Sequence, residues 1–171
     1  MSEQASSWMV RFTPLIRPSG TVLDLACGRG RNVRWLAERG WQVEAVDRDK
    51  DALASLQGLP NVTTLQADLE GAPWPYADRR FDAIIVCRYL HRPLFKAISS
   101  CLSENGVLIY ETFMCGHEQF GRPSNPDFLL QPDELLHVFS PELQIIAFEQ
   151  GRFDTPSPAI LQRICARNMI R

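Results

Sequence analysis

The sequence predicts an α/β protein with a doubly wound, mostly parallel sheet of seven strands that ends in an antiparallel hairpin. Strand-like and helix-like segments alternate five times from residue 21 onward, the pattern of a doubly wound sheet. Strand-like runs such as AIIVC at 83–87 are continuously apolar, as parallel strands covered on both faces must be. The last two strand-like runs, at 143–150 and 159–167, have no helix pattern between them, so they are predicted to form the hairpin.

Length and composition fit a single domain over residues 1–171. A chain of 171 residues that is 45% hydrophobic and 22% charged can bury a sizeable core. The formal net charge of -2 gives no electrostatic reason to expect a nucleic-acid or membrane surface. We find no secretory signal pattern and no apolar run of membrane-spanning length,. The five scattered cysteines favour a reducing cytoplasm over a disulfide framework.

The helix-like segments carry apolar residues at helical spacing. Val33, Leu36 and Ala37 follow the first strand in this way, and Leu94 and Ile98 follow the fourth,. Strands are predicted at 21–26, 42–47, 62–68, 81–90, 107–113, 143–150 and 159–167, and helices at 6–16, 31–40, 50–58, 92–106 and 132–139.

Three segments do not follow this alternation of strands and helices. Residues 1–20 form a lead-in that contains the first helix and ends at the turn RPSG. Residues 69–80 are rich in Pro and Gly and predict a loop,. Residues 114–132 form a long irregular segment, and such segments in compact domains are typically functional or disordered. We therefore expect 114–132 to be a lid-like insertion, and we call it the lid.

The sequence LDLACGRGR at 23–31 joins the first strand to the following helix. In an open α/β sheet, a ligand binds outside the carboxyl ends of the strands, where the strand order reverses. This rule brings together the loop at 27–31, the strand ends at Asp47 and Asp68, and residues 87–91.

Asp47 is placed to bind a ribose. It follows Gly30 by seventeen positions, near the spacing at which an acid meets ribose hydroxyls in nucleotide-binding units. A carboxylate there can accept hydrogen bonds from both hydroxyls of a 2′,3′-diol. The alternative is that Asp47 caps the next helix, a role that Asp49 could fill equally well.

The loop does not match the common phosphate-binding motifs. A dinucleotide fingerprint needs a third glycine where this chain has Val33, and a P-loop needs Gly-Lys-Ser/Thr, which is absent,. The loop together with acids on the first three strands therefore indicates a ligand that contains adenosine but no phosphate. Arg29 and Arg31 are expected to face solvent at the start of the helix.

At these positions the sequence resembles the class I S-adenosylmethionine-dependent methyltransferases. VLDLACGRGR at 22–31, VEAVDRD at 43–49 and LQADL at 65–69 are similar to the first three motifs of that family. FDAIIVCRYLH at 81–91 and SENGVLIYETF at 103–113 are similar to its fourth-strand and fifth-strand motifs. The resemblance runs from about Thr21 onward and looks most like the compact TehB-like and UbiG-like small-molecule enzymes. It implies a Rossmann-like methyltransferase fold, whose reversed last strand the terminal hairpin matches.

The resemblance implies that the chain binds S-adenosyl-L-methionine and releases S-adenosyl-L-homocysteine. Asp24 would lie at the methionine end, Asp47 at the ribose, and Asp68 with Leu69 at the adenine. The implied cofactor-binding residues are Asp24, Ala26, Cys27, Gly28, Gly30, Asp47, Arg48, Asp68, Leu69, Cys87 and Arg88. Ala26 replaces the first loop glycine of the family, which is tolerable if its φ is negative.

Methyl transfer from a sulfonium depends mainly on alignment of the acceptor, and a base is needed only if the acceptor must lose a proton. The candidate catalytic residues are His91, Tyr89 and Glu111. His91 could act as a base or orient the acceptor, and Tyr89 could shield the sulfonium with its ring face. Packing roles are the alternatives for both. Glu111 could be a base, but we favour an ion pair with Arg88 or Arg92.

The candidate substrate-binding residues are Arg88, His91, Arg92, Phe120 and Arg122, with Phe128 beside them on the lid. The arginines would suit an anionic substrate, although a structural ion pair is favoured for Arg92. Cys115 and His117 resemble half of a metal site, but no second Cys/His pair lies at zinc spacing,. We predict no metal, and we expect His137 to be solvated.

These patterns together predict a cytoplasmic S-adenosylmethionine-dependent methyltransferase that acts on a small molecule, without a nucleic-acid or membrane partner. One alternative is a nucleic-acid or protein methyltransferase. The net charge and CRYL at 87–90 argue against it, since amino-methylating DNA enzymes carry Asn/Asp-Pro-Pro-aromatic there. The other alternative is a non-catalytic subunit that binds S-adenosylmethionine.

Overall fold

A computed structural model describes residues 4–169 of the chain. The strands are β1 Thr21–Leu25, β2 Gln42–Asp47, β3 Val62–Gln66, β4 Phe81–Cys87, β5 Leu102–Phe113, β6 Gln144–Phe153 and β7 Ala159–Arg167. The α-helices of this part are α1 Ser7–Phe12, α2 Arg31–Ala37, α3 Lys50–Ala54, α4 Phe95–Ser100 and α5 Glu134–Phe139. Short 3₁₀ turns cover Thr13–Leu15, Arg92–Leu94, His117–Gln119 and Pro126–Phe128. No helix among residues 4–169 has both the length and the apolar character that a bilayer crossing requires.

The strands form one sheet in the order β3-β2-β1-β4-β5-β7-β6. The pairs from β3 across to β5 are parallel, whereas β7 is antiparallel to both of its neighbours, β5 and β6. This confirms the predicted doubly wound sheet with its C-terminal antiparallel hairpin. The strand order reverses between β1 and β4, and a crevice for a ligand opens at such a switch point.

Both faces of the sheet are covered, because its central strands are almost continuously apolar. Leu23 and Leu25 of β1 belong to the core on one face, with residues of α4 and α5. Val22 belongs to the core on the other face, with residues of α1 and α2. The alternation of side chains along a strand assigns neighbouring residues to opposite cores. The sheet is therefore a fixed platform whose strand ends carry the candidate site.

The predicted helix at 92–106 is wrong in its second half, because Leu102 already belongs to β5. The amide of Phe81 donates to the carbonyl of Cys101 at 2.8 Å, so the chain leaves the helix to pair with the start of β4. The side-chain amide of Asn168 then donates to the carbonyl of Leu102 at 3.1 Å. Partners so distant in sequence cannot be read from local helical spacing.

A fully buried glutamine joins α5 to the sheet. The carboxamide oxygen of Gln162 accepts a hydrogen bond from the amide of Leu135 at 2.6 Å, and its nitrogen donates to the carbonyl of Gln131 at 2.9 Å. The residue is 0% exposed. Asp133, at the N-cap of α5, makes no side-chain capping bond. Gln162 therefore satisfies a helix N-terminal amide that would otherwise be buried without a partner.

Replacement of this glutamine by a residue of similar size should destabilise the protein. We expect Gln162→Leu to lower the free energy of unfolding by about 2 kcal/mol, because buried groups on both sides lose their partners. Gln57→Leu, at an exposed position, is the matched control and should leave stability almost unchanged. Urea titrations measure both variants, and equal midpoints for Gln162→Leu and the parent protein would contradict the assigned role.

Candidate functional site

Three cavities open along the carboxyl ends of the strands. The strand-end cavity, of about 440 Å³, is lined among others by Asp47, Asp68, Leu69 and Tyr89. The loop cavity, of about 1180 Å³, is lined among others by Asp24, Cys27, Gly28 and Arg31. The lid cavity, of about 960 Å³, is lined among others by Glu111, Phe113, Phe120 and Arg122. Arg88 lines all three cavities, so they adjoin one another at this residue.

The loop cavity contains a buried acid with unused hydrogen-bonding capacity. Asp24 is 2% exposed, and its Oδ2 has no hydrogen-bond partner among the described residues. Burial raises the pKa of this carboxyl from 3.8 to about 7; the guanidinium of Arg31 opposes the rise and the charge of Asp47 adds to it. A buried carboxylate without a partner is costly. The position therefore suits a ligand that brings a cationic hydrogen-bond donor.

Arg31 is not the solvent-facing residue that the sequence predicts. Its guanidinium donates to the carbonyl of Gln4 at 3.0 Å and to the sulfur of Cys87 at 3.0 Å, so it lies across the loop cavity. Arg29 is exposed, as predicted. Arg31 is the first residue of α2, and helical side chains lean towards the helix N-terminus, here towards the strand ends. The place of Arg31 at the start of the helix is the sequence feature from which its position in the loop cavity could have been predicted.

The backbone of the loop is left-handed at three alternate residues. The φ angles of Ala26, Gly28 and Gly30 are +54°, +55° and +77°. The negative φ under which an alanine is tolerated without strain is therefore not present at Ala26, and an alanine in this region costs about 1–2 kcal/mol,.

The two glycines of the loop differ in their surroundings. A Cβ added to Gly30 would lie 2.5 Å from a methyl carbon of the buried Leu56, whereas one added to Gly28 would meet nothing within 4 Å. Gly30 thus permits packing of the loop against the protein interior. Gly28 leaves space on the side of the cavity.

Asp49, and not Asp47, caps the helix that follows β2. Asp49 is the N-cap of α3, and its side chain accepts from the amides of Asp51 and Ala52. The carboxylate of Asp47 instead accepts from the amide of Gly28 at 2.7 Å and from that of Asp49 at 2.9 Å. Each carboxylate oxygen can accept a further bond. Asp47 is thus fixed to the loop and keeps acceptor capacity towards the strand-end cavity.

The segment that follows β3 also lines the strand-end cavity. Asp68 accepts a hydrogen bond from the amide of Glu70 at 3.0 Å. Backbone hydrogen bonds from Glu70 and Gly71 hold the pKa of the Asp68 carboxyl below its ordinary value. Leu69 is buried and Arg48 exposed in the same lining. The cavity thus combines an apolar wall with carboxylate acceptors at two strand ends.

Tyr89 lines the strand-end cavity, and His91 lies near Asp68, which also lines it. The hydroxyl of Tyr89 donates to the carboxylate of Glu70 at 3.2 Å, across the strand-end cavity. The charge of His91 contributes to the lowered pKa of Asp68, which places the imidazole near that carboxylate. The linings of the three cavities do not include His91.

Glu111 forms the ion pair that we favoured, but with a different arginine. Its carboxylate accepts from the Nε of Arg163 at 3.0 Å, and both side chains are about one-tenth exposed, at 10% and 11%. It also accepts from the hydroxyl of Ser6 and from the thiol of Cys87, the latter at 3.3 Å. Burial, followed by the charge of Glu111, raises the pKa of Cys87 to about 12, so this thiol stays protonated.

Arg92 contacts the lid and α5 and lines none of the three cavities. Its guanidinium donates to both carboxylate oxygens of Glu134, at 2.6 and 3.0 Å, and to the carbonyls of Asp127 and Leu129. Arg92 thus makes the structural ion pair that the sequence favoured, and its contact with substrate stays a prediction. Phe120 and Arg122 do line the lid cavity, whereas Phe128 lines the strand-end cavity.

His117 is buried and uses both ring nitrogens on the backbone. The amide of Ile160 donates to its Nδ1 at 3.3 Å, so its Nε2 carries the hydrogen that contacts the carbonyl of Arg122 at 3.2 Å. Its ring stacks on that of Phe113 at 4.1 Å. Among residues 4–169, His117 and Cys115 belong to no group of three metal-ligating side chains. His137 is exposed, as predicted.

Sequence comparison with known proteins gives a family match and matches to curated proteins. The family described as "Methyltransferase domain" matches residues 22–106. YqeM of Bacillus subtilis (strain 168) is 28% identical over 122 residues, which cover 64% of this chain and 47% of that protein. The chain spans about half the length of the curated relatives it matches.

Solved structures share the fold at low sequence identity. TehB from Haemophilus influenzae superposes with a TM-score of 0.79 at 19% identity, covering 96% of this chain and 62% of that chain. A SAM-dependent methyltransferase from Methanosarcina mazei superposes with a TM-score of 0.75 at 13% identity, covering 99% and 100%. The family match spans β1 to the start of β5, including the loop with Asp24 and the strand end with Asp47. The match of residues 22–106 to the methyltransferase-domain family and the shared fold are consistent with the class I S-adenosylmethionine-dependent methyltransferases.

Proposed function

We propose that this chain binds S-adenosylmethionine and transfers its methyl group to a small-molecule acceptor, releasing S-adenosylhomocysteine. The observation that carries the proposal is the buried Asp24, whose Oδ2 has no partner among the described residues, beside the guanidinium of Arg31. A carboxylate and a guanidinium in one cavity, close enough to interact electrostatically, match the ammonium and carboxylate of an amino acid. Asp47 matches the diol of a ribose on the adjoining side.

Different residues of the chain are assigned to three parts of the ligand: its amino acid end, its ribose and its adenine. Asp24 would accept hydrogen bonds from the ammonium, and Arg31 would donate to the carboxylate. Asp47 would accept from the ribose hydroxyls, and Asp68 with Leu69 would contact the adenine. When bound, S-adenosylmethionine supplies an electrophilic methyl group on a sulfonium. The remaining residues proposed to line the cofactor are Ala26, Cys27, Gly28, Gly30, Arg48, Cys87 and Arg88.

The protein contributes mainly alignment to this reaction. A neutral thioether leaves, so no acid is required, and correct placement of the two reactants lowers the barrier. Arg88 lies where the three cavities adjoin, and its amide donates to the carbonyl of Glu111 at 2.9 Å. Glu111 is committed to Arg163 and is poorly suited as a base. The assignment of His91 and Tyr89 as catalytic residues stays a prediction.

A small acceptor fits the space beyond the cofactor cavities. The lid cavity, of about 960 Å³, has the size of small-molecule sites. Its walls come from residues 4–7, the lid and the 155–159 loop, which surround the end of β5. Thr112 and Phe113 line both this cavity and the strand-end cavity, so an acceptor there would lie next to the proposed cofactor.

Calorimetric titration with S-adenosylhomocysteine tests the cofactor assignment. We expect binding by the parent protein, and a loss of at least about tenfold in affinity for Asp47→Asn, because a charged acceptor of two ribose hydroxyls is weakened. Asp51→Asn, at an exposed position of α3, is the control and should bind like the parent. Absence of binding by the parent protein would refute the proposed function.

The two arginines of the loop provide a second, matched comparison. Arg31→Gln should weaken S-adenosylhomocysteine binding by about tenfold or more, since a charge-assisted bond to the ligand carboxylate is lost. Arg29→Gln makes the same chemical change at an exposed position two residues away and should have little effect. Similar affinities for the two variants would show that Arg31 does not bind the carboxylate.

The raised pKa of Asp24 predicts a pH dependence of binding. The carboxyl, with a pKa of about 7, is mostly protonated below that pH and can pair with an ammonium only when ionised. The affinity for S-adenosylhomocysteine should therefore fall by about tenfold between pH 7.5 and pH 6. Titrations at these two pH values check this. Asp24→Asn should bind weakly and with no such dependence, and an unchanged pH profile in this variant would rule out Asp24 as its source.

A further inference from the structure

Two phenylalanines are exposed among the described residues, and both belong to the lid. Phe120 is 37% exposed and Phe128 is 48% exposed. They line different cavities: Phe120 lies in the lid cavity, and Phe128 lies in the strand-end cavity together with Asp47 and Leu69. One aromatic ring of the lid therefore faces the proposed acceptor, and the other faces the proposed adenosine site.

Phe128 is exposed although the backbone around it is held firmly. The guanidinium of Arg92 donates to the carbonyl of Asp127 at 2.8 Å and to the carbonyl of Leu129 at 2.9 Å, the residues on either side of Phe128. The same guanidinium is bonded to both carboxylate oxygens of Glu134. A planar guanidinium with five donors can satisfy all these acceptors at once.

The turn itself adds further restraints. Pro126–Phe128 is a 3₁₀ turn whose N-cap, Asn125, accepts from the amide of Asp127 through its side chain. The amide of Phe128 donates to the carbonyl of Asn125 at 3.0 Å, and the next two residues, Leu129 and Leu130, are buried at 2% and 0% exposure. The ring is thus presented by a rigid turn and is not the exposed end of a mobile loop.

Other lining residues of the strand-end cavity are suited to a flat ligand with polar edges. Leu69 and Leu90 supply an apolar surface, and Asp47 and Asp68 supply acceptors at the edges. The cavity, of about 440 Å³, is lined by both Asp47 and Phe128, so a ligand held by Asp47 lies in the same cavity as the ring of Phe128. Loss of an aromatic ring stacked on a base lowers affinity by about tenfold or more.

We propose that Phe128 contacts the adenosine part of the cofactor and that Arg92 is its positioning residue. The proposal rests on the proposed function, since it assumes that the strand-end cavity takes adenosine. It assigns the lid two separate tasks, one towards the cofactor through Phe128 and one towards the acceptor through Phe120. It also gives the Arg92–Glu134 pair a purpose beyond holding α5.

Calorimetric titration with S-adenosylhomocysteine and with 5′-methylthioadenosine, which lacks the amino acid end, tests the assignment. Phe128→Ala should weaken both ligands by the same factor, about tenfold or more. Phe120→Ala, the same change in the same segment, should leave both affinities unchanged. Arg31→Gln should weaken only S-adenosylhomocysteine. Unchanged binding in Phe128→Ala, or an equal loss in Phe120→Ala, would overturn the proposal.

The role of Arg92 is tested by a double-mutant cycle. Arg92→Gln should lower the affinity for S-adenosylhomocysteine in the parent protein but cause little further loss in Phe128→Ala, because it acts through that ring. Arg92→Lys should not restore binding, since an ammonium cannot reach two carbonyls and a carboxylate in one plane. Additive losses would show that Arg92 acts independently of Phe128. If the parent protein binds neither ligand, the proposed function itself fails; if it binds both and the cycle is additive, only this inference fails.

Discussion

The position of β1 between β2 and β4 is the constraint on which the rest of the molecule depends. Because the strand order reverses there, the connections after β1 and β4 diverge and leave a crevice between them. Every element of the candidate site lies along that crevice: the loop after β1, the end of β2, and the residues after β4. The parallel register of β1 with both neighbours brings these ends to one edge of the sheet.

The electrostatics of the crevice are unfavourable without a ligand. Asp24 lies in the core layer of β1, where burial raises its pKa, and the protein offers its Oδ2 no partner within the described residues. Arg31 reduces this penalty only in part, since its donors are directed to Gln4 and Cys87. A ligand ammonium would supply the missing partner, so part of the binding free energy comes from relief of a cost that folding imposes.

Local patterns in the sequence were sufficient to predict the strands and to predict which strand ends line the cavities. Apolar runs predicted every strand, and the spacing of Asp24, the loop and Asp47 predicted which strand ends meet. What could not be predicted depends on register and on side-chain direction. Glu111 and Arg163 lie directly opposite each other on β5 and β7, but that register is fixed by the hairpin and is invisible in either segment alone.

Other differences have equally specific causes. Leu102 continues a helical pattern in sequence, yet pairing with Phe81 draws it into β5. Arg92 lies beside the strand ends like a ligand-binding residue, but Glu134 and two lid carbonyls satisfy it. In both cases a contact between distant segments overrides the local preference.

The insertion of β7 between β5 and β6 has a consequence for how the protein is made. β5 is twelve residues long with an apolar centre at 107–110, and its outer edge stays unpaired until the ribosome has added β7, a few seconds later at usual synthesis rates. Until then Glu111 lacks the guanidinium of Arg163, and the indole of Trp8 lacks the carbonyl of Ile164 that it contacts at 3.1 Å. An exposed strand edge of this kind can pair with other chains. The nascent chain therefore exposes this strand edge to pairing with other chains during the synthesis of the segment between residues 113 and 159.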